Sequence, residues 1–263
     1  MVIVKYRLIY NQKCRTRSKN LHALAVLKSN KIWCSKPVRF NDPFDGSIPF
    51  IMDDSPGAFV KAAVTVYAKD GHNWDNIKKI LDENILLDCT LNTNARKKIK
   101  KTAKEFSDSN KTVGILSLTE EPLSILMWSH YGAGHKGVCV GFERNPANDL
   151  GDDDACRPVR YAYDYPEPLM SQIFTADGSL TRDLFYTKAR NWAYEKEWRL
   201  MTEKGNKLVN CPGKITKVIL GCRAKSKTEA NFLTECRGKK IPLYRAKQVP
   251  GAFMLELAPL FTL

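Results

Sequence analysis

Long apolar runs are missing from this 263-residue chain, and none reaches the roughly 18 residues that a membrane-crossing helix needs. The opening Met1-Val-Ile-Val-Lys-Tyr-Arg lacks the charged, then apolar, then small-residue order of a secretory leader. Cys14, Cys34, Cys89, Cys139, Cys156, Cys211, Cys222 and Cys236 are scattered, with no Cys-x-x-Cys pair, so zinc-ribbon spacing is absent. A reduced, cytoplasmic protein without a membrane partner is the expectation. No Asp-x-Lys or His-Asn-His type cluster marks a nuclease centre, no metal site is expected, and neither an internal repeat nor a low-complexity linker is present.

Acidic residues are in short supply: 28 Asp and Glu stand against 42 Lys and Arg, a formal charge of +14. A field of that sign favours nucleic acid, phosphorylated ligands or anionic surfaces. The cations gather in Lys13, Arg15, Arg17 and Lys19, in residues 94–104, and in Arg237, Lys239 and Lys240. Within the middle cluster Arg96, Lys97, Lys98 and Lys100 are the candidate nucleic-acid contacts; the alternative is a solvated basic surface.

What is present is a core: 43 % hydrophobic and 10 % aromatic residues suffice for one large or two small domains. Alternation predicts a first strand over 2–9, and period 3.6 predicts a helix over 20–29. Residues 56–109 carry helical patterns at about 57–69, 74–87 and 92–106 without strand signals. Further strands are predicted at 31–34, 112–119, 136–142, 159–163, 215–221, 241–246 and 253–257, and helices near 167–174, 179–188 and 225–237. Strands at both ends with helices between, and no regular βαβ rhythm, give α+β: one mixed domain over 1–263 with a helical insertion at about 56–109.

Three stretches carry chemistry-bearing residues. Phe40-Asn-Asp-Pro-Phe-Asp45 is an Asn-Asp-Pro turn flanked by phenylalanines, either structural or a ligand loop. Met127-Trp-Ser-His-Tyr-Gly followed by His135-Lys-Gly-Val-Cys139 puts two of the four histidines beside Trp128 and Tyr131, ahead of a buried strand. Burial of the large rings and capping of a short helix by Thr119 is the plainer reading. Tyr194-Glu-Lys-Glu-Trp-Arg199 reads as a strand with Glu195, Glu197 and Arg199 on one face and Trp198 and Leu200 on the other. Two carboxylates and a guanidinium there suit a hydroxylated substrate, unless the face is simply ion-paired surface.

In this order the three motifs resemble a bacterial and phage family of unknown function (domain of unknown function two-nine-seven-one), a label that implies no activity. The chain also resembles ADP-ribosyltransferases of the DNA-modifying toxin branch. Those enzymes place a polar residue on the first strand, a Ser/Thr element centrally and a catalytic Glu on a late strand. Arg7, Ser117 and Glu195-Lys-Glu197 are the corresponding residues here.

That resemblance implies an ADP-ribosyltransferase-like split β core. It also implies NAD as substrate, and transfer to nucleic acid or an associated protein by a toxin or phage-defence effector. Glu197 would stabilise positive charge on the ribose, and Glu195 would position or deprotonate the acceptor, with His130 a third catalytic candidate. Arg7 or Arg199 would hold phosphate, Trp128 and Tyr131 would stack on a ring, and Asn41, Asp42, Ser117 and His135 complete the candidate NAD contacts. A nucleic-acid-binding or nuclease-like protein, with Asp42, Asp45 and Glu195 as metal candidates, and a non-catalytic interaction protein are the alternatives. A zinc site on His130, His135 and Cys139 would lack a fourth ligand at conventional spacing.

Overall fold

The computed structural model describes residues 3–8, 24, 26–46, 55–88, 90–167, 169 and 179–262. The basic cluster at 13–19, half of the helix expected at 20–29 and most of that expected at 167–174 lie outside the described residues. Among those described, the strands are β1 (Ile3–Leu8), β2 (Lys31–Cys34), β3 (Gly114–Thr119), β4 (Val138–Arg144), β5 (Cys156–Pro158), β6 (Arg160–Ala162), β7 (Thr187–Ala189), β8 (Glu197–Thr202), β9 (Lys207–Asn210), β10 (Ile215–Leu220), β11 (Leu243–Gln248) and β12 (Leu255–Phe261). The chain is α+β, and it gathers into two compact units. No described helix is long and apolar enough to cross a membrane.

The first unit comprises Met1–Ser35, Gly114–Val159 and Asn191–Leu263. Its sheet runs β12-β11-β10-β4-β1-β3-β8-β5. Every pairing is antiparallel except β10 with β11, which the helix Ser226–Gly238 connects. Lys225, ahead of that helix, makes no side-chain cap, and Phe232 and Cys236 bury its inner stripe. β2 and β9 form a separate two-stranded ribbon.

Because paired residues in antiparallel strands point to the same face, register sorts the sheet's side chains. Leu116, Leu118, Val138, Val140, Phe142, Leu200, Val218, Leu220 and Leu243 share one face and pack with Phe232 and Cys236 in the main core. On the opposite face Cys139 and Ile219 join Met127 and Trp128 in a smaller cluster. There β3 and β8 present Ser117, Thr119, Glu197 and Arg199 instead of hydrocarbon. One sheet thus has a largely apolar face and a face that turns polar at one end.

None of the six described cysteines is in a disulfide. Burial pushes the Cys139 thiol far above its ordinary value and that of Cys236 up to about 12, with Glu235 adding to the latter. Both behave as small hydrophobic groups.

The second unit comprises Lys36–Val113 and Arg160–Arg190. The expected helical stretch is three helices, Pro56–Lys69, Trp74–Asp82 and Thr93–Asn110. The side chains of Ser55, Asn73 and Asn92 accept backbone N–H groups of their first turns, which fixes where each begins. The middle helix stops before the predicted residue 87, because Glu83 and Asn84 enter a turn that Asn92 clamps through its bond to the Glu83 carbonyl. Thr187–Ala189 is a strand rather than the end of the helix expected at 179–188; it pairs in parallel with β6.

The helix Thr93–Asn110 buries Ala95 and Ile99 against Leu91, Phe59 and Ile85. Its outer face exposes Arg96, Lys97, Lys98, Lys100, Lys101 and Lys104. Apart from Arg96, whose Nε–H donates to the Leu91 carbonyl, the side chains that make it basic are therefore separate from those that fold it. Changing Lys97, Lys98 and Lys100 together to Gln is expected to leave stability within about 0.5 kcal/mol per site, whereas Ile99→Ala costs about 2–5 kcal/mol. Urea unfolding midpoints of the two variants test this contrast.

Candidate functional site

Around the polar end of the sheet, three short segments of the first unit meet. The first is the helix Ile125–His130. Its N-cap is Ser124, whose hydroxyl accepts from the Met127 N–H. Thr119, expected to cap it, instead donates its hydroxyl to the Glu195 carbonyl and accepts the Glu121 N–H. Trp128 is fully buried and donates Nε1–H to the Pro122 carbonyl at 2.8 Å. Its place is in the packing beneath the site, with no surface left for a ligand ring.

The loop that follows is tightly wound. Ala133, Gly134 and His135 all have positive φ, at 53°, 62° and 64°. Backbone bonds from the His135 N–H to the Trp128 carbonyl and from the Arg223 N–H to the His135 carbonyl hold it in place. Two of those residues carry a Cβ, so the surrounding structure must enforce the conformation. The His135 ring stacks on Trp128 with centroids 6.5 Å apart, and its Nε2 lies 3.1 Å from the Ser129 hydroxyl. That hydroxyl lies 2.9 Å from the Ile125 carbonyl as donor, so its single proton is engaged and His135 donates to it from Nε2. The Nδ1 atom is buried without a hydrogen-bond partner among the described residues. Burial first, and Arg223 second, hold this imidazole below its ordinary pKa.

The third segment departs from the predicted strand. Glu195 ends a 3-10 helix, Arg190–Glu195, and β8 begins only at Glu197. Lys196 between them has φ 42°, which breaks the alternation. Its side chain is ion-paired with Glu121, which raises its pKa. Glu195 and Glu197 therefore reach the site by different routes. The Glu195 carboxylate accepts the Tyr131 hydroxyl at 2.7 Å and is buried. Glu197 and Arg199 form a two-pronged pair, Nε to Oε1 at 2.9 Å and Nη2 to Oε2 at 3.0 Å. The face they share is buried: Glu197 is 5 % exposed and Arg199 not at all. Trp198 and Leu200 face the main core, as alternation required.

Tyr131, bonded to Glu195, belongs to a group of rings. His130 has centroid separations of 6.2 Å from Tyr131 and 6.5 Å from both Trp192 and Tyr194, and Trp192 is 6.1 Å from Tyr194. Sequence reasoning placed His130 and Tyr131 at a site but not Trp192 or Tyr194. The nearest available signal was their period-2 spacing, which the 3-10 helix makes irrelevant. Ser117 pairs with Arg199, and Thr119 with Glu197, across β3 and β8. β1 brings Tyr6 into register with Thr119 and Arg7 with Val140. The Arg7 side chain lies outside the described residues.

Phe40–Asp45 belongs to the second unit. Asp42 is buried, and its carboxylate accepts the Phe44 N–H at 2.9 Å, the expected Asx turn. Asn41 is exposed at its edge. Asp45 pairs with Lys188 at 3.6 Å, both side chains 4 % exposed. Lys188, inside a segment predicted as helix, was not singled out from sequence. Among the described residues no three His, Cys, Asp or Glu side chains gather into a set that would hold a metal ion.

Residues 127–200 match a family described as "Protein of unknown function (DUF2971)", so the chain is similar to that family from within the helix Ile125–His130 into β8. The Phe40–Asp45 turn lies outside the matched segment. No curated protein and no solved structure matches the chain.

Two outcomes follow from this geometry. Glu197→Gln keeps the shape but leaves the Arg199 guanidinium buried without a countercharge, so it is expected to cost about 3–5 kcal/mol. Replacing both partners with residues that pack, Glu197→Gln with Arg199→Met, recovers part of the loss in denaturant titrations. The second concerns pH. A histidine held below its usual value of 6.5 takes its proton more readily in the unfolded chain. The stability due to a neutral His135 is complete above that value and is lost as pH falls towards the lower folded value. His135→Asn, which tolerates positive φ, is expected to flatten the pH dependence of stability between about pH 7 and 5. An unchanged wild-type-to-variant difference across that range contradicts the assignment.

Proposed function

We propose that the first unit carries out NAD-dependent ADP-ribosyl transfer, with the polar end of the sheet as its reaction site. The supporting observation is the pair of buried carboxylates one residue apart, each fixed by a different partner. The Tyr131 hydroxyl holds Glu195, and the Arg199 guanidinium holds Glu197. When the bond between nicotinamide nitrogen and ribose C1′ breaks, the electron pair leaves with neutral nicotinamide and positive charge develops on the ribose. A carboxylate already fixed in orientation stabilises that charge without reorganising. Glu197 takes this role. The acceptor's lone pair then closes on C1′, and Glu195 takes the acceptor proton.

Arg199 keeps Glu197 in one orientation while Ser117 and Thr119 line the neighbouring strand. The rings of His130, Tyr131, Trp192 and Tyr194 suit a flat heterocycle beside the carboxylates. Trp128 supports them from below, and His135 fixes the loop. Arg7, Asn41 and Asp42 receive no part in this reading. A second reading, nucleic-acid binding without catalysis, is favoured by the six exposed cations of the helix Thr93–Asn110.

Nicotinamide release and transfer of the ADP-ribosyl label, measured with and without nucleic acid, test the proposal. Wild type is expected to turn over NAD, and Glu197→Gln to lose about a hundredfold or more. Glu195→Gln and Tyr131→Phe are expected to lose transfer while retaining some hydrolysis; both leave the buried Glu197–Arg199 pair intact. No wild-type turnover with any acceptor removes the reading. A folded Glu197→Gln protein with an unchanged rate removes that residue's role.

A further inference from the structure

The second unit exposes rings that its own folding does not require. Phe44 is 66 % exposed, Tyr163 84 % and Tyr165 45 %. Their placement follows from two features of the local structure. Parallel pairing of β6 with β7 sets Ala162 opposite Ala189, so the next step along both strands brings Tyr163 beside Arg190. The Arg190 guanidinium accordingly lies 4.9 Å from the Tyr163 ring centroid. The buried Asp45–Lys188 pair ties the Asn-Asp-Pro turn to β7. Asp42, through the Phe44 N–H, then turns Phe44 outward, where it meets Tyr165 edge-to-face at 6.2 Å. A buried ion pair and an Asx turn thus serve to present an aromatic surface.

We propose that this surface is a platform for single-stranded nucleic acid, on which unpaired bases stack against Phe44, Tyr165 and the Tyr163–Arg190 pair. Flat rings and a stacked guanidinium offer every base a π-face without reading its edges. The Arg190 guanidinium, stacked on the Tyr163 ring, brings to this face a positive charge that a backbone phosphate can engage. The same unit carries the exposed cations of the helix Thr93–Asn110, and the whole chain is at +14, which favours a polyanion over an acid-poor protein surface. Asp42 and Asp164 lie among the rings in sequence, so stacking rather than phosphate neutralisation dominates at this face. The proposal does not depend on the chemistry of the first unit.

The test is fluorescence anisotropy of the full-length protein with labelled oligothymidylate, the matching duplex and an abasic strand of equal length, at about 150 mM salt. The thymidylate strand is expected to bind at least tenfold more tightly than either control. Tyr163→Ala and Phe44→Ala are each expected to weaken it about tenfold and leave the abasic strand unaffected. Tyr163→Phe, which keeps the ring and its Arg190 contact, is expected to bind like wild type and separates stacking from misfolding. Equal affinity for the abasic strand, or alanine variants that remain folded and bind as wild type, overturns the proposal and assigns the face to a protein partner.

Discussion

The buried pair between Glu197 and Arg199 constrains the first unit more than any other interaction described. Two opposite charges sit out of water on the same face of β8, joined by two hydrogen bonds. Such a pair adds little net stability compared with hydrocarbon, yet losing one partner is expensive. Its neighbours are arranged to tolerate it: Ser117 and Thr119 of β3 stand across from Arg199 and Glu197, while the opposite face of both strands is occupied by Leu116, Leu118 and Leu200. The sheet packs most of one face into the main core and leaves the end of the other polar.

The rest of the site takes its position from that polar end. The left-handed Lys196 turns the chain between Glu195 and Glu197, and the Thr119 hydroxyl holds the Glu195 carbonyl. Tyr131 reaches the Glu195 carboxylate from the other side. The 131–137 loop is bounded by Trp128 beneath and by Gly221, where an added Cβ would lie 2.2 Å from the His135 carbonyl oxygen. Close backbone approach at Gly221 therefore fixes the loop against the end of β10. These contacts place Tyr131 and the His130 ring group without any residue that must move.

Much of this architecture could be read from the chain. Patterning located β3, β4, β10, the helix Ser226–Gly238 and the three helices between Pro56 and Asn110: β3 and β4 are short runs buried on both faces, and the helices have one stripe that burial selects. The stretches around Met127 and Tyr194 come together through packing, with Tyr131 and Tyr194 against the cluster of Met127 and Trp128. The structure departs from alternation where local backbone or partner chemistry intervenes. A positive φ at Lys196 removed Glu195 from the strand. The Glu197–Arg199 face, read as suiting a hydroxylated substrate or as ion-paired surface, is buried with its two charges paired to each other. Thr119 capped no helix because Ser124 stood closer to its start. Lys188 fell in a helical pattern but belongs to a strand, since its parallel partner β6 lies more than twenty residues away in sequence. Trp192 and Tyr194 join the ring group only through a 3-10 turn whose geometry has no compositional signature.

The central claim is that the polar end of this sheet face binds NAD. Hydrogen–deuterium exchange with a non-hydrolysable NAD analogue tests it most directly, because it requires neither an acceptor nor turnover. The account predicts slower exchange in residues 125–135 and 191–199 when the analogue is present, with little change in the helix Ser226–Gly238 on the other face. Saturating analogue with no protection in either segment, or protection confined to other parts of the chain, would contradict it.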